Sequence, residues 1–275
     1  MVSYLQNILD AARIVLTLCF FIYASWSDYK TREVSNSVWI LFAPTAFALT
    51  FIELFLYPYE TSNMLFYGIC FSLTAALAII LFYSGGFGGA DAKALMCLAL
   101  SLPFYPRNLF TPIPVEVSPI SQTFFPITVF SNSVLLAAAT AVYILLRNIL
   151  WRLKTDKKFF EENHEKESLG RKILALITGY KVSVNKLKEK EHLYPLEDIE
   201  ENFDDSFKRK LVVVPRDENR DAMINRLNKA VEAGIIHDSI WATPGLPMLI
   251  FITAGLIITL FFGDIIWICI RLLLG

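Results

Sequence analysis

The distribution of apolar residues constrains this chain more than any other feature of its sequence. A helix needs roughly 20 apolar residues to cross about 30 Å of lipid hydrocarbon. Five runs approach that length, at residues 8–27, 38–57, 65–83, 127–146 and 246–262. A sixth run, at residues 90–102, ends before Pro103 and would make a helix only about 20 Å long. The sequence therefore predicts an α-helical membrane protein with six transmembrane helices, whose fourth either starts below the membrane surface or lies where the bilayer thins.

The charged residues are concentrated in one segment. Residues 151–240 hold 18 of the 25 Lys and Arg residues and 18 of the 26 Asp and Glu residues. This predicts a soluble domain inserted between spans 5 and 6, with membrane segments at residues 1–150 and 241–275. The net charge of −1 gives no indication of nucleic-acid binding, so the expected surroundings are the lipid bilayer and water.

The inserted segment has the pattern of a small α+β domain. Alternating apolar residues at 181–187 and an apolar run at 211–214 predict strands. Residues 217–233 predict a helix that Gly234 ends. The acidic run at 197–205 predicts a mobile, solvated loop, which a basic peptide could also contact.

Basic residues are unevenly shared between the two sides of the six-span arrangement, which predicts its orientation. The richer side carries Lys30, Arg32, Lys93, Arg147, Arg152, Lys154, Lys157 and Lys158, and the poorer side Arg13, Arg107 and Arg271. We therefore expect the loop after the first span and the inserted domain in the cytoplasm. Both termini are then expected outside a multi-pass cytoplasmic membrane protein.

Acidic residues within membrane segments are costly and commonly mark a function. Several lie at outer span ends or in outer loops, where interfacial water accounts for them: Asp10, Glu53, Glu60, Glu116 and Asp264, the last with Arg271 as a candidate partner. Asp28 and Asp91 differ from these. Asp28 ends the first span and Asp91 opens the fourth, so the prediction places both carboxylates at the cytoplasmic side.

Asp28 and Asp91 can form a catalytic pair if the first and fourth spans are neighbours. One carboxylate would take a proton from water while the other, protonated, polarises a scissile carbonyl, because like charges about 3 Å apart cannot both ionise. Helix dipoles make Asp91, at a helix N-terminus, the expected base and Asp28, at a C-terminus, the expected proton carrier. Paired acids would also suit an ion or proton transporter, although no inverted repeat is evident. A non-catalytic scaffold would leave them unexplained.

Other protease chemistries lack their residues in the membrane segments. All three histidines, His164, His192 and His237, lie in the inserted domain. A serine or cysteine nucleophile therefore has no intramembrane histidine base. His164 and the following Glu165 lack the second histidine of a zinc-binding HExxH motif. We expect neither a metal nor a cofactor.

A glycine-rich segment precedes Asp91. Residues 84–90 read Ser-Gly-Gly-Phe-Gly-Gly-Ala and hold four of the 12 glycines. Glycine permits close backbone approach and positive φ, and irregular backbone at membrane depth is tolerated only against protein or water. A proteolytic site needs such a gap, since a helical substrate must unwind before cleavage. Alone, the segment is typical of a flexible turn; beside Asp91 it favours a site.

At these residues the chain resembles the archaeal prepilin and preflagellin peptidases, members of the GxGD aspartyl protease group. The resemblance rests on residues 24–34 (Ala-Ser-Trp-Ser-Asp-Tyr-Lys-Thr-Arg-Glu-Val), residues 88–93 (Gly-Gly-Ala-Asp-Ala-Lys) and residues 239–244 (Ser-Ile-Trp-Ala-Thr-Pro) with Pro247. It extends over essentially the whole chain, including six spans and a cytoplasmic insert before the sixth.

The resemblance implies that Asp28 and Asp91 are catalytic. It also implies four motif or positioning residues: Gly88, Gly89, Ala90 and Lys93. Ala90 stands where the stricter motif has glycine, as in the archaeal branch. The implied substrates are precursors with a short basic leader followed by a hydrophobic helix. Nothing resembles the cysteine-rich domain of bacterial relatives that also methylate the product, so peptidase activity alone is expected.

Overall fold

A computed structural model describes residues 2–56, 60–113, 117–156, 158–160, 167–201, 207–212, 220–245 and 247–274. The helices are α1 (Val2–Thr31), α2 (Asn36–Leu56), α3 (Glu60–Tyr83), α4 (Gly89–Ser101), α5 (Pro119–Thr123), α6 (Phe125–Thr155), α7 (Leu169–Thr178), α8 (Val184–Glu189), α9 (Arg220–Glu232), α10 (Met248–Phe262) and α11 (Ile265–Leu274). The strands are β1 (Tyr180–Val182), β2 (Leu193–Pro195), β3 (Glu197–Glu201), β4 (Phe207–Leu211) and β5 (Ile240–Pro244).

Four helices of the described part of the chain are long and apolar enough to cross a membrane: α1, α2, α3 and α6. Together α10 and α11 meet the same test, but the chain bends by 53° between them. Each predicted apolar run lies largely within a helix, and the short run is α4, of 13 residues. The structure therefore has four or five candidate spans by length and composition, and the count of six stays a prediction.

The chain divides into two compact units, Met1–Ala137 with Pro247–Gly275, and Ala138–Leu246. In the first unit α4 is the central helix and contacts α1, α2, α3 and α10. Ala94, Leu95 and Leu98 of α4 are fully buried. Small side chains allow helices to approach closely where no hydrophobic effect drives their association. Helix α4 is too short to count as a membrane span by its length, yet it forms the core of the unit.

The packing of α6 against α10 depends on a glycine. A Cβ added at Gly255 would overlap the Ser133 hydroxyl and lie 2.9 Å from the Val129 carbonyl oxygen. About two turns further along α10, where this helix ends, the buried Asn132 amide donates to the Gly263 carbonyl oxygen at 2.9 Å. Gly263 has a φ of 72°, a conformation that favours glycine. These contacts fix both the closeness of the helices and the position of the bend.

The second unit combines a three-stranded antiparallel sheet, in the order β1-β5-β2, with a two-stranded ribbon of β3 and β4. Helix α9 contacts α8, β2 and β3, while α7 contacts β4 and β5. The central strand β5 begins with three buried residues in succession, as expected for a strand covered on both faces. The predicted mixture of strands and helices in this region is confirmed; its place relative to the membrane stays a prediction.

Two local predictions in this unit are wrong. The alternation at 181–187 forms a strand only as far as Val182, because Ser183 caps α8 and its hydroxyl accepts from the Lys186 N–H at 3.4 Å. The acidic run begins with strand β3 instead of a loop, and β3 pairs along its length with β4. The rest of the acidic run, at 202–205, lies outside the described residues, as do 213–214 and 217–219 of the other predicted elements.

Glu197 explains why the acidic run is ordered at its start. Its carboxylate is fully buried and accepts from Arg209 Nε at 2.5 Å and from the Trp241 N–H at 2.9 Å. Burial raises the pKa of the Glu197 carboxyl, and the Arg209 charge opposes that rise. A residue that reads in the sequence as part of a solvated acidic run is thus one half of an ion pair inside the unit.

Candidate active site

Asp28 lies in the last turn of α1 and is partly buried. Arg32, directly after the helix, has a φ of 58° and donates its N–H to the Asp28 carbonyl oxygen at 3.0 Å. A left-handed residue is a common way to end a helix. The Ser27 hydroxyl donates to the Glu33 carbonyl oxygen at 2.7 Å, which secures the departing chain. Asp28 is therefore held at a well-defined helix end.

Asp91 lies in the first turn of α4, after the glycine-rich segment. Gly88 is the cap of this helix, and its N–H donates to Asp91 Oδ2 at 3.0 Å. A carboxylate at this position satisfies one of the unpaired N–H groups of the helix start. The turn before it is ordered: Gly85 has a φ of 77°, and the Gly86 N–H donates to the Leu81 carbonyl oxygen at 2.9 Å.

The carboxylate of Asp91 lies against the place where Gly88 has no side chain. A Cβ added at Gly88 would lie 3.1 Å from Asp91 Oδ2, which is tighter than ordinary contact. A Cβ at Gly89 would meet only the Phe82 ring, at 3.7 Å. Ala90 packs against the apolar core of the unit. Of the three small motif residues, Gly88 is the one whose missing side chain bears directly on Asp91.

The structure brings Asp28 and Asp91 to the same end of the first unit. Helices α1 and α4 are in contact, and the hydrogen bond between Thr17 and Ser101 lies about three turns from each aspartate, so both aspartates lie at the same level. Lys93 Nζ donates to Asn36 Oδ1 at 2.6 Å, which ties the start of α4 to the start of α2. Since α2 follows α1 after a short connection, this bond joins the two chain segments that carry the carboxylates.

Asn36 and Ser25 are two residues near the pair that sequence reasoning missed. Asn36 is the acceptor for Lys93. Ser25, one turn before Asp28, shares a hydrogen bond of 2.7 Å with the Thr253 hydroxyl and so fastens α1 to α10. Its spacing from Asp28 places it on the same face of α1, a signal present in the sequence, whereas the partner of Lys93 is set only by the tertiary fold.

The opposite end of α4 is fixed by hydroxyl groups. The Thr17 and Ser101 hydroxyls share a hydrogen bond of 2.7 Å. The Thr50 hydroxyl donates to the Leu100 carbonyl oxygen at 2.8 Å, and also reaches the Ser101 carbonyl oxygen at 3.1 Å. These bonds satisfy carbonyl groups that a helix end leaves free, and they join α4 to both α1 and α2.

The prediction that the outer acids are solvated at the interface is wrong for three of them. Asp10 is 3% exposed and pairs with Arg13, which also pairs with the largely buried Glu53. Asp264 is 7% exposed, accepts from the Ser118 hydroxyl at 2.9 Å and accepts from a backbone N–H in the first turn of α11 at 3.0 Å. Buried charges need such partners, so these acids have structural roles. The side chain of Glu60 and all of Glu116 lie outside the described residues.

A cavity of about 250 Å³ lies at the end of α4 remote from Asp91. It is lined in part by Asp10, Arg13, Glu53 and Asn108. Among the residues that the structure describes, no group of three or more His, Cys, Asp or Glu side chains could hold a metal ion.

Two partly buried carboxylates near one end of a helical unit can share a proton and activate a water molecule between them. That is the chemistry of an aspartic peptidase.

The fold and the candidate site together define a multi-pass helical membrane protein with a pair of carboxylates at one end of its helical unit. Residues 15–145, which include both aspartates, match the type IV leader peptidase family. Residues 171–265 match the archaeal peptidase A24 C-terminus, type II. Both parts of the chain are therefore similar to leader peptidases, and the chain is a peptidase.

Relatives named preflagellin peptidase are similar to this chain over most of its length. A preflagellin peptidase of Methanococcus maripaludis is 27% identical, over 88% of this chain and 91% of the relative. Preflagellin peptidases of Methanocaldococcus jannaschii and Methanococcus voltae are 24% and 27% identical, each over 88% of this chain, and over 89% and 91% of their own lengths. The resemblance drawn from the sequence motifs is thereby confirmed, as is the prediction of a protease.

Proposed function

We propose that this peptidase removes a short basic leader from precursors of the preflagellin or type IV pilin kind, in which a hydrophobic helix follows the leader. The names of its relatives support the preflagellin class of substrate. The cleavage is carried out by Asp28 and Asp91 at the cytoplasmic face of the membrane. The excess of basic residues in the first interhelical loop and in the second unit supports this orientation.

The observation that carries the proposal is the common location of the two aspartates. Asp28 ends one helix, Asp91 opens another, and those helices pack against each other. Two carboxylates of one catalytic pair must lie close enough to share a proton, and the packing of these two helix ends supports that. The remaining acids of the first unit with described side chains lie elsewhere: Asp10, Glu53 and Asp264 serve buried structural contacts, and Glu33 is exposed.

The surroundings of the two groups support different roles. Asp91 accepts the Gly88 N–H and sits at a helix N-terminus, both of which favour its ionised form as the base. Asp28 sits at a helix C-terminus, which favours the protonated acid. Arg32 is a counter-charge for Asp28, but it is exposed and therefore screened by water.

The reaction follows from these roles. Asp91 takes a proton from a water molecule, whose oxygen attacks the scissile carbonyl carbon, while Asp28 gives its proton to the carbonyl oxygen. Collapse of the tetrahedral intermediate breaks the C–N bond: Asp91 passes its proton to the leaving amine, and Asp28 recovers its own from the hydroxyl. The products are the free leader and a shortened precursor with a new amino terminus.

Replacement of the aspartates by asparagine tests the proposal. In membranes containing a precursor substrate, Asp28→Asn and Asp91→Asn should each lower the cleavage rate by about 10²- to 10⁴-fold, which is the range that general acid–base groups contribute. The double variant should be no worse than either single one, since the residues act as a unit. Glu33→Gln, which removes an exposed carboxylate from the same connection, is the matched control and should retain activity. Cleavage by either Asn variant at a normal rate would reject the pair.

The roles and the alternative function have their own tests. If Asp91→Asn kept activity while Asp28→Asn abolished it, the assignment of Asp91 as the base would be wrong. The ionisations in the pH–rate profile of the wild type would then have to be assigned to the two residues in a different way. A proton or ion transporter was the alternative use of paired acids. The family assignment favours cleavage, and proton flux across proteoliposomes in the absence of cleavage would be needed to restore the transporter.

A further inference from the structure

Helix α7 of the second unit leaves an apolar face exposed. Leu169, Ile173 and Leu174 are 74%, 49% and 40% exposed. Leu169 and Ile173 are four residues apart and therefore lie on one face of the helix. The buried residue of α7 is Ala175, which packs with Trp241 in a small cluster of the unit. An apolar face of this kind on a short helix indicates a surface that contacts something less polar than water.

The C-terminal end of α7 is fastened to α6. The Asn148 amide of α6 donates to the Leu176 carbonyl oxygen at 2.8 Å and to the Gly179 carbonyl oxygen at 2.7 Å. Both carbonyls belong to the last turn of α7 or its cap, where backbone acceptors lack helical partners. Asn148 is 3% exposed. Because one buried side chain serves two carbonyls, α7 has a fixed place along α6.

Asn148 lies at the level where α6 passes from the hydrocarbon of the membrane into the headgroup region. Arg147 is the first basic residue after the long apolar run of α6, and its guanidinium lies 3.7 Å from the centre of the Tyr180 ring. Lys181 lies 5.4 Å from the ring of Trp151, one turn further along α6. Tryptophan, tyrosine and basic side chains gather at the boundary between hydrocarbon and headgroups. Asn148, between Arg147 and Trp151, is therefore at that boundary.

The outward apolar surface of α6 continues past this level. Leu146 and Leu150 are 55% and 56% exposed, and Leu153 is 76% exposed. In a helix that crosses a bilayer, such residues face lipid. A lipid-facing surface thus reaches beyond the point where Asn148 holds α7, so a helix fastened there lies beside lipid and not in bulk water.

We propose that α7 lies along the membrane surface on the side where α6 ends, with Leu169, Ile173 and Leu174 inserted into the boundary between headgroups and acyl chains. The occupant of its apolar face is the bilayer itself. Arg171 lies on the opposite side of the helix from Ile173, where it forms a salt bridge of 3.0 Å with Glu167 and faces water, as the polar side of a surface-bound helix must. The second unit is then attached to the membrane by α7 as well as by its covalent connections.

Depth measurements on spin labels test this inference in the full-length protein in liposomes with anionic lipid. The four cysteines are free, so Cys19, Cys70, Cys97 and Cys269 are first replaced by alanine. A label is then placed at Ile173→Cys or Leu169→Cys, and collision rates with oxygen and with a water-soluble nickel complex give its depth. Both labels should lie about 5–10 Å below the lipid phosphates. A sharp gel-filtration peak and an unchanged thermal transition show that each variant is folded.

Two controls and two outcomes complete the experiment. Arg171→Cys, on the other side of α7, should be more accessible to nickel and less to oxygen than Ile173→Cys. Asn185→Cys, exposed on α8, gives the value for bulk water. A label at position 173 as accessible to nickel as that at 185 would overturn the proposal. So would shielding from both reagents with spin–spin broadening, which would show that a second copy of the chain covers this face.

Discussion

Replacing Gly88 by alanine isolates the contact between the glycine-rich segment and Asp91. Gly88 has φ −70° and ψ 160°, which alanine adopts without strain. The backbone N–H that serves Asp91 also remains. Helix capping changes little between glycine and alanine, by about 1 kcal/mol or less, so folding should be nearly unaffected. The perturbation is the added methyl group at 3.1 Å from Asp91 Oδ2.

The size of the effect follows from the displacement of that oxygen. Ordinary contact begins at 3.4 Å, so the carboxylate must withdraw by about 0.3 Å (3.4 − 3.1). A misplacement of about 1 Å in an active site costs about 10²-fold, so a shift of about 0.3 Å costs about fourfold. Stretching the 3.0 Å bond from the Gly88 N–H weakens a hydrogen bond to a charged group as well. We expect kcat to fall by about 4- to 10-fold with KM unchanged, because the altered group acts on the reacting atoms and not on the leader.

The assay is cleavage of a purified precursor by the enzyme in liposomes, with kcat and KM measured separately. Gly86→Ala is the matched control: it lies in the same turn, and its Cβ would be 3.5 Å from the Leu81 carbonyl oxygen, an ordinary contact. This variant should keep kcat. Equal losses in both variants would show that flexibility of the turn matters and not the position of Asp91. Full activity of Gly88→Ala would refute the reasoning altogether.

Three further substitutions test the packing. Arg209→Met leaves the Glu197 carboxylate buried without its cation and should lower the free energy of unfolding of the second unit by about 3–5 kcal/mol; adding Glu197→Leu should recover much of the loss in denaturant titrations. Asn148→Ala leaves two carbonyl groups unpaired, at a cost of about 2–3 kcal/mol, and Asn148→Asp should not restore the thermal transition because an ionised carboxylate cannot donate. Gly255→Ala should lower the free energy of unfolding through overpacking, by about 1–3 kcal/mol, and adding Ser133→Ala should recover only part of that loss.

The helices and the location of the two aspartates were the predictable part of this protein. The length of an apolar run can be compared with the thickness of the membrane from the sequence alone, without knowing which helices are neighbours. The same argument shows that the run opening near Asp91 is too short, and the structure has α4 with Asp91 in its first turn. The contact between α1 and α4 was only assumed in the sequence argument, because the apolar pattern of a helix does not show which other helices it contacts.

The errors share one physical cause, which is pairing between residues distant in the chain. Asp10 has Arg13 three positions away, but the second carboxylate on that guanidinium comes from Glu53 in another helix. Glu197 reads as solvated until Arg209 of the neighbouring strand is known to cover it. Helix α7 was missed for another reason, because its short apolar pattern directly follows a charged stretch.

The anchoring of α4 at its far end gives this short helix the properties of a lever. Its 13 residues make a rod of about 20 Å, pinned at one end by the hydroxyls of Thr17 and Thr50 and carrying Asp91 at the other. A tilt of about 3° about the pinned end would swing Asp91 by about 1 Å, enough to change turnover about 100-fold. In the proposed mechanism, two threonines about 20 Å from Asp91 would therefore help to set the rate of cleavage.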